Sequence, residues 1–298
     1  AWLEETALQE NGLYHVPTEA CQTGNIPRSE TFYPVDFNSQ LALSALYMSA
    51  IGDILNDKEI SFRYKRLYFS LKTRINAHMW DDEDRFYYDL DKDGQRIRSK
   101  LLVSYWAMLA EIPNDERANY LVEQLRDPAE FGTENPFPAL PVSSPFFSEE
   151  GNGHCGGVFS VNTYMVVKAL ERYSHFIYAR ECAIRHMYFL LDTLHPDTDQ
   201  IGDLWEAYLP NKEGASKTDE IEGFPRRRLM HYAGLATITL MIENIIGLDI
   251  SLPRKTVDWV MPSLEVMGIE NLSLKRNTIT ILSNKTDRGW EIRLESEK

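Results

Sequence analysis

The sequence predicts a mainly α-helical protein, an α/α toroid of stacked helical hairpins followed by a small C-terminal β appendage. Three observations predict it. Apolar side chains recur at helical spacing from residue 36 to 246, the helical stretches come in pairs joined at long loops, and after Pro253 the pattern changes to short alternating runs. An α-solenoid is the competing arrangement, but the loops are too long and unequal for a regular repeat.

Taken in order, residues 1–10, AWLEETALQE, read as helix rather than signal peptide. Leu41, Ala45, Met48 and Leu55 predict a helix over 36–55, and Tyr64, Leu67, Leu71 and Ile75 a second over 60–75, with Asn56 and Asp57 as the break. Leu102, Tyr105, Trp106 and Leu109 predict a helix over 100–111; others are expected over 115–125, 161–173, 177–194 and 226–246. Long loops precede Pro34 and fill 128–157 and 196–225. Loops beyond about 12 to 15 residues are uncommon in compact domains unless they have a function, so chemistry is sought there. Short strands are expected around 273–275, 278–282 and 290–294, with Asn284 and Gly289 as turn residues. The expected domains are 1–252 for the toroid and 253–298 for the appendage.

With 298 residues, 43% of them hydrophobic, the chain can bury a large core. Its 45 acidic residues outnumber 31 lysines and arginines, a formal charge of -14 that repels a phosphate backbone, so nucleic acid is not an expected partner. No apolar run approaches the roughly 20 residues of a membrane helix, and no membrane partner is expected. The compartment is not written in these features. Cys21, Cys155 and Cys182 are an odd, widely spaced set that suits neither a disulfide framework nor a zinc site. The first residue is not Met and falls inside a predicted helix, which suggests a chain that begins within a longer polypeptide.

The stretch FYYDLDKDG places Asp89, Asp91, Asp93 and Gly94 where an EF-hand loop begins. Position twelve is Lys100, a cation where a bidentate Glu belongs, so a hairpin turn is the better reading, with a cation bound at the turn by other ligands as the alternative, and neither a resident metal nor a cofactor is expected. In Leu204-Trp205-Glu206-Ala207-Tyr208 one carboxylate lies between two rings. Such rings suit the C–H faces of a sugar, and the carboxylate could deprotonate water. An exposed Glu beside two half-buried rings is the plainer reading of these residues alone. Gly151 to Gly157 precede a helix but form no phosphate loop, and HExxH and Gly-x-Ser-x-Gly are absent from the sequence.

Five segments in series carry a resemblance. NIPRSETFYPVDFNSQLALSALYMSAIGDIL resembles an Asn-Ser-Pro-Arg…Val-Asp-Leu-Asn helix start, and MWDDEDRFYYDLDKDG resembles a Trp-Asp-x5-Tyr-Tyr-Asp turn. GGVFSVNTYMVVKALERY is similar to a Gly-Pro-Val-Trp-Pro-x-x-Asn-Tyr helix, LWEAYLPNKEG to Glu-x-Tyr-Asn-Pro, and MHYAGLATITLMIENIIGL to a last long helix. The chain from about residue 18 to 248 thus resembles the (α/α)6-toroid glycosidases, the group of trehalases, processing α-glucosidases and mannosylglycerate hydrolases.

The resemblance implies an inverting glycoside hydrolase acting on an oligosaccharide or glycoside, with Glu206 as general base. The acid Asp of the group falls on Gly24 here, which cannot donate a proton. Glu19 and Glu30 flank the gap, with Glu19 taken as the replacement, and Asp36 matches a position of substrate binding or site architecture. The alternative is a non-catalytic carbohydrate-binding toroid that has lost its acid. Trp205, Tyr208, Asn25, Arg28, Asn38, His154, Phe159, Asn162 and His231 are the expected substrate-binding residues. His154 and Cys155 replace the group's Trp-Arg, so specificity does not carry over. A complete (α/α)6 ring needs more helices than the seven or eight read here. The ring is therefore either incomplete or finished by an N-terminal portion of the same polypeptide outside this chain.

Overall fold

Most of the helices form where the apolar period predicts them, and local chemistry sets their ends. The computed structural model describes residues 2–17, 20, 25–194, 204–216, 231–251, 254–260 and 265–297. It divides into two compact units, 1–234 and 235–298.

In the first unit, α1 is a short helix, Trp2–Thr6. Helix α2, Val35–Ile54, starts after the fixed φ of Pro34, and α3, Lys58–His78, starts at Asp57, whose carboxylate accepts from Ile60 N. Between them Asn56 takes a left-handed φ of 56°, which Asn tolerates better than most residues. The pair is a helical hairpin. A two-residue hairpin follows, β1 (Trp80–Asp81) against β2 (Phe86–Tyr87).

The helix expected over 100–111 is mostly absent. A 3₁₀ turn, Leu102–Tyr105, runs into the four-residue α4, Trp106–Leu109. Leu101 is extended, with φ -125° and ψ 136°, so no helix runs ahead of Leu102, whose N–H, without a helical acceptor, donates to Ala139 O. Glu111 at φ 56° and Pro113 end it behind. Helix α5, Asp115–Arg126, is capped by Asn114; α6, Ser160–Arg172, and α7, Phe176–Leu194, form the second hairpin. Helix α4 packs on α2 and on α6. The core between these helices is aromatic. Phe86, Tyr105 and Phe131 are fully buried with centroids 5.6 to 6.1 Å apart, and the Tyr105 hydroxyl donates to Leu121 O at 2.9 Å.

The second unit starts within α8, His231–Thr239, which continues as a π-helical stretch, Leu240–Ile246, and stops at Gly247 with φ 88°. Residues 226–230, expected in this helix, lie outside the described ones. Strands β3 (Leu248–Ser251) and β4 (Thr256–Trp259) pair antiparallel, and β5 (Met267–Leu274), β6 (Asn277–Thr286) and β7 (Gly289–Glu297) form an antiparallel sheet in that order. The expected strands at 278–282 and 290–294 lie within β6 and β7, whereas 273–275 overlaps only the end of β5, and Asn284, expected at a turn, lies within β6. Strand β3 lies ahead of the expected start at 253.

Truncating the centre of the aromatic cluster, Phe131→Ala, removes a fully buried ring and is expected to cost about 3 to 5 kcal/mol, read as a lower urea midpoint by near-ultraviolet circular dichroism.

Candidate active site

Glu206 sits at the edge of a buried stretch of chain. Leu204, Trp205 and Glu206 are half-buried, whereas residues 207–210 are buried. Tyr208 anchors the segment. Its ring is wholly buried, and its backbone pairs with Val158 through two N–H to O bonds of 2.9 Å. On its other side it pairs with Ala215, flanked by Leu209 N–H to Gly214 O and Ser216 N–H to Ala207 O, both 3.0 Å. Trp205 N–H donates to the Tyr208 hydroxyl at 3.2 Å, so the loop folds back on its own anchor. Tyr232, near the start of α8, donates its hydroxyl to Glu206 Oε1 at 2.6 Å.

A buried polar chain ties this loop to the helices. Asn135 Nδ2 donates to Leu209 O at 3.0 Å and Asn135 N–H to Pro210 O at 2.8 Å. That fixes the amide orientation, because only the nitrogen can donate to a carbonyl. Asn135 Oδ1 then faces His186 Nδ1 at 2.8 Å, so Nδ1 carries the proton and Nε2, 2.9 Å from Ser160 Oγ, accepts from that hydroxyl. The His186 ring meets the Tyr208 ring edge-on at 5.8 Å. His186 is fully buried, and that burial lowers its pKa to about 4.

The glycine-rich loop lies against the same segment. Ala139, Phe159 and Ala207 form one small apolar cluster. Gly157 is confined there, since a Cβ would fall 2.4 Å from Gly153 O. Asn25 Nδ2 donates to Asn152 O at 2.7 Å, and its Oδ1 accepts from His154 N at 2.8 Å. His154 stacks on Phe159 with centroids 4.5 Å apart, and burial lowers its pKa to about 4. Asn25, His154 and Phe159 therefore share one neighbourhood.

Three expected binding residues are placed otherwise. Arg28, 4% exposed, is clamped by Asp89 (Nε to Oδ2, 2.9 Å) and Asp36 (Nη2 to Oδ1, 2.5 Å). Burial alone would favour losing its proton, but the two carboxylates outweigh it and raise its pKa. Asn38 is fully buried, its amide accepting from Tyr14 N and donating to Tyr14 O and Pro34 O. Tyr208 is core, not a platform for a sugar. Burial with a complete set of partners explains each.

Asp36 accepts from Arg28 through both oxygens, an arrangement for a carboxylate acceptor rather than a proton donor. Asn162 is half-buried on α6, and His231 is exposed at the start of α8. Glu19 and Gly24, on which the question of the acid turns, lie outside the described residues.

The FYYDLDKDG carboxylates are held by protein groups. Asp89 serves Arg28, Asp91 accepts from Asp93 N and Gln95 N, and Lys100 pairs with Glu130 at 2.8 Å. Among the described residues no cluster of three His, Cys, Asp or Glu could hold a metal, and no helix is long and apolar enough to cross a membrane. Burial raises the Cys182 thiol to about 12 and also raises Cys155. Sequence reasoning misses Tyr232, Asn135 and His186. Only His186 leaves a signal, a polar residue in line with Cys182 and Leu190 on the buried face of α7.

A model of the mannosylglycerate hydrolase MGH1-like glycoside hydrolase domain matches residues 2–220, and one of the trehalase C-terminal domain matches 247–298. A protein of Borreliella burgdorferi described only as uncharacterized is 48% identical over all 298 residues, and this chain spans 63% of its length. A solved structure titled sialidase superposes with a TM-score of 0.74 at 17% identity, over 98% of this chain and 28% of that one. The GH63 mannosylglycerate hydrolase from Thermus thermophilus in complex with Tris gives 0.56 at 20% identity, over 68% of this chain and 44% of that one. Both likenesses are of fold.

The two buried histidines give a pH test. In the folded chain each stays neutral down to about 4, whereas on unfolding each regains its ordinary value of 6.5. The unfolded chain therefore binds more protons between about 4 and 6.5, and stability falls as pH falls through that window, by up to about 3 kcal/mol per histidine. Thermal melts from pH 7 to 4.5 should show the fall, with a shallower slope in His186→Gln.

Proposed function

The chain belongs to the mannosylglycerate hydrolase MGH1-like glycoside hydrolase family, and from that membership we propose that it is an inverting glycosidase with Glu206 as its general base. One observation carries the assignment of the base: Glu206 is a half-buried carboxylate on a loop whose next four residues are buried and pinned to Val158 and Asn135. A carboxylate so held can keep one geometry against a reacting water. In the proposed step Glu206 takes a proton from water, the water oxygen bonds to the anomeric carbon from the face opposite the leaving group, and an acid protonates the departing oxygen. Glu19 is our candidate for the acid. Trp205, Asn25, His154, Phe159, Asn162 and His231 are proposed around the sugar, and α2–α3 and α6–α7 as hairpins of an (α/α)6 ring. The name mannosylglycerate hydrolase, and the solved complex of the Thermus thermophilus enzyme with glucose, make mannose and glucose the first sugars to try.

Because fluoride leaves without protonation, glycosyl fluorides separate the base from the acid. We expect the α or β anomer of D-glucosyl or D-mannosyl fluoride to be hydrolysed with inversion, followed by proton NMR. Glu206→Gln should lower the rate by about 10²- to 10⁴-fold. Retention of configuration, or undiminished turnover in Glu206→Gln, would rule the mechanism out. Sugar binding with no fluoride hydrolysis would instead indicate a carbohydrate-binding protein.

A further inference from the structure

Resting on Glu206 as the base, we infer that Tyr232 is its positioning residue: the phenol, donating to Oε1 at 2.6 Å, holds the carboxylate in the orientation from which it takes the proton of water. That length is in the range of a charge-assisted O–H to carboxylate bond, about twice as strong as one between neutral groups. A half-buried glutamate has three side-chain torsions to order, and a fixed donor on one oxygen sets the plane of both.

The donor, on a ring that is 41% exposed, has less freedom to lose. Tyr232 has only two side-chain torsions and is the second residue of α8, so its ring starts from helical backbone. A second contact seats the same turn on the same loop. A Cβ added at Gly234 would come within 3.0 Å of Leu204 Cδ1, so the backbone of α8 lies directly against the residue two positions before Glu206. All these residues belong to the first unit. The loop is thus held from both sides of the carboxylate, by Leu204 and Tyr232 at α8 and by Tyr208 at Val158. The phenol does this without introducing a charge. A cation in its place would pair with the carboxylate and oppose its taking a proton.

The test uses the whole chain and the glycosyl fluoride hydrolysed fastest, and compares Tyr232→Phe, Glu206→Gln and the double variant. Tyr232→Phe keeps the ring and removes only the donor. We expect kcat to fall by about ten-fold or more, with KM within about three-fold and the melting temperature within about 2 °C of the parent. The double variant should be no slower than Glu206→Gln alone, because a residue acting through the carboxylate has nothing left to position.

If Glu206→Gln is inactive and Tyr232→Phe retains full kcat, this inference is wrong and the base stands. If Glu206→Gln keeps full rate, the base assignment fails and this inference fails with it. An equal loss from Tyr232→Phe in the Glu206→Gln background places the phenol's effect elsewhere and overturns the inference. Should no fluoride be hydrolysed by the parent, a crystal structure of Tyr232→Phe decides. A displaced Glu206 carboxylate supports the role, and an unmoved one refutes it.

Discussion

Arg28 is a buried cation whose charge reaches two separate parts of the chain, and the local architecture depends on it. Asp36 stands in the first turn of α2, and Asp89 follows β2, sixty-one residues from Arg28 in sequence. Asp89 also accepts from Thr31 Oγ1 and Val35 N, so the loop before α2, the helix start and the hairpin meet at one carboxylate. Such a site is costly to desolvate and is kept only when nearly every donor finds an acceptor. Here the guanidinium Nε, Nη1 and Nη2 are all engaged. Since Asn25 is three residues from Arg28, this centre also sets where the glycine-rich loop can be met.

The fold is legible where it repeats. The periods through Leu67, Leu71 and Ile75, and through Ala179, Cys182 and Ala183, are local signals, and α3 and α7 form close to the expected bounds. The segment 100–111 has the same apolar spacing, but Leu101 is extended and Glu111 left-handed, so only Leu102–Leu109 coils. Apolar periodicity registers neither backbone break. The β3–β4 hairpin escapes notice for a related reason: its first strand directly follows a helix that only the left-handed Gly247 brings to a stop.

The candidate site is legible as an address and much less as a mechanism. Glu206 is singled out by its flanking rings, yet one of those rings, Tyr208, is buried anchor rather than surface. An aromatic reads the same in sequence whether it faces a sugar or a core. Arg28 and Asn38 likewise read as ligand contacts through the resemblance of their segment to the group's motif, but buried polar side chains must first satisfy themselves. Asn135 and Tyr232 cannot be read at all, since their partners lie 74 and 26 positions away.

The Ser160–His186–Asn135 chain also constrains how this protein can vary. Donors and acceptors must alternate from the hydroxyl through the two ring nitrogens to the amide and on to Leu209 O. Aspartate at 135 would face a carbonyl with no proton to give it, and alanine at 160 would leave an imidazole nitrogen in apolar surroundings. Only a substitution that keeps each donor and acceptor in place, such as threonine at 160, preserves the alternation. Residues from three separate stretches of the chain are therefore constrained together, because the proton on each fixes the role of the next, and the last of them holds the backbone of the Glu206 loop.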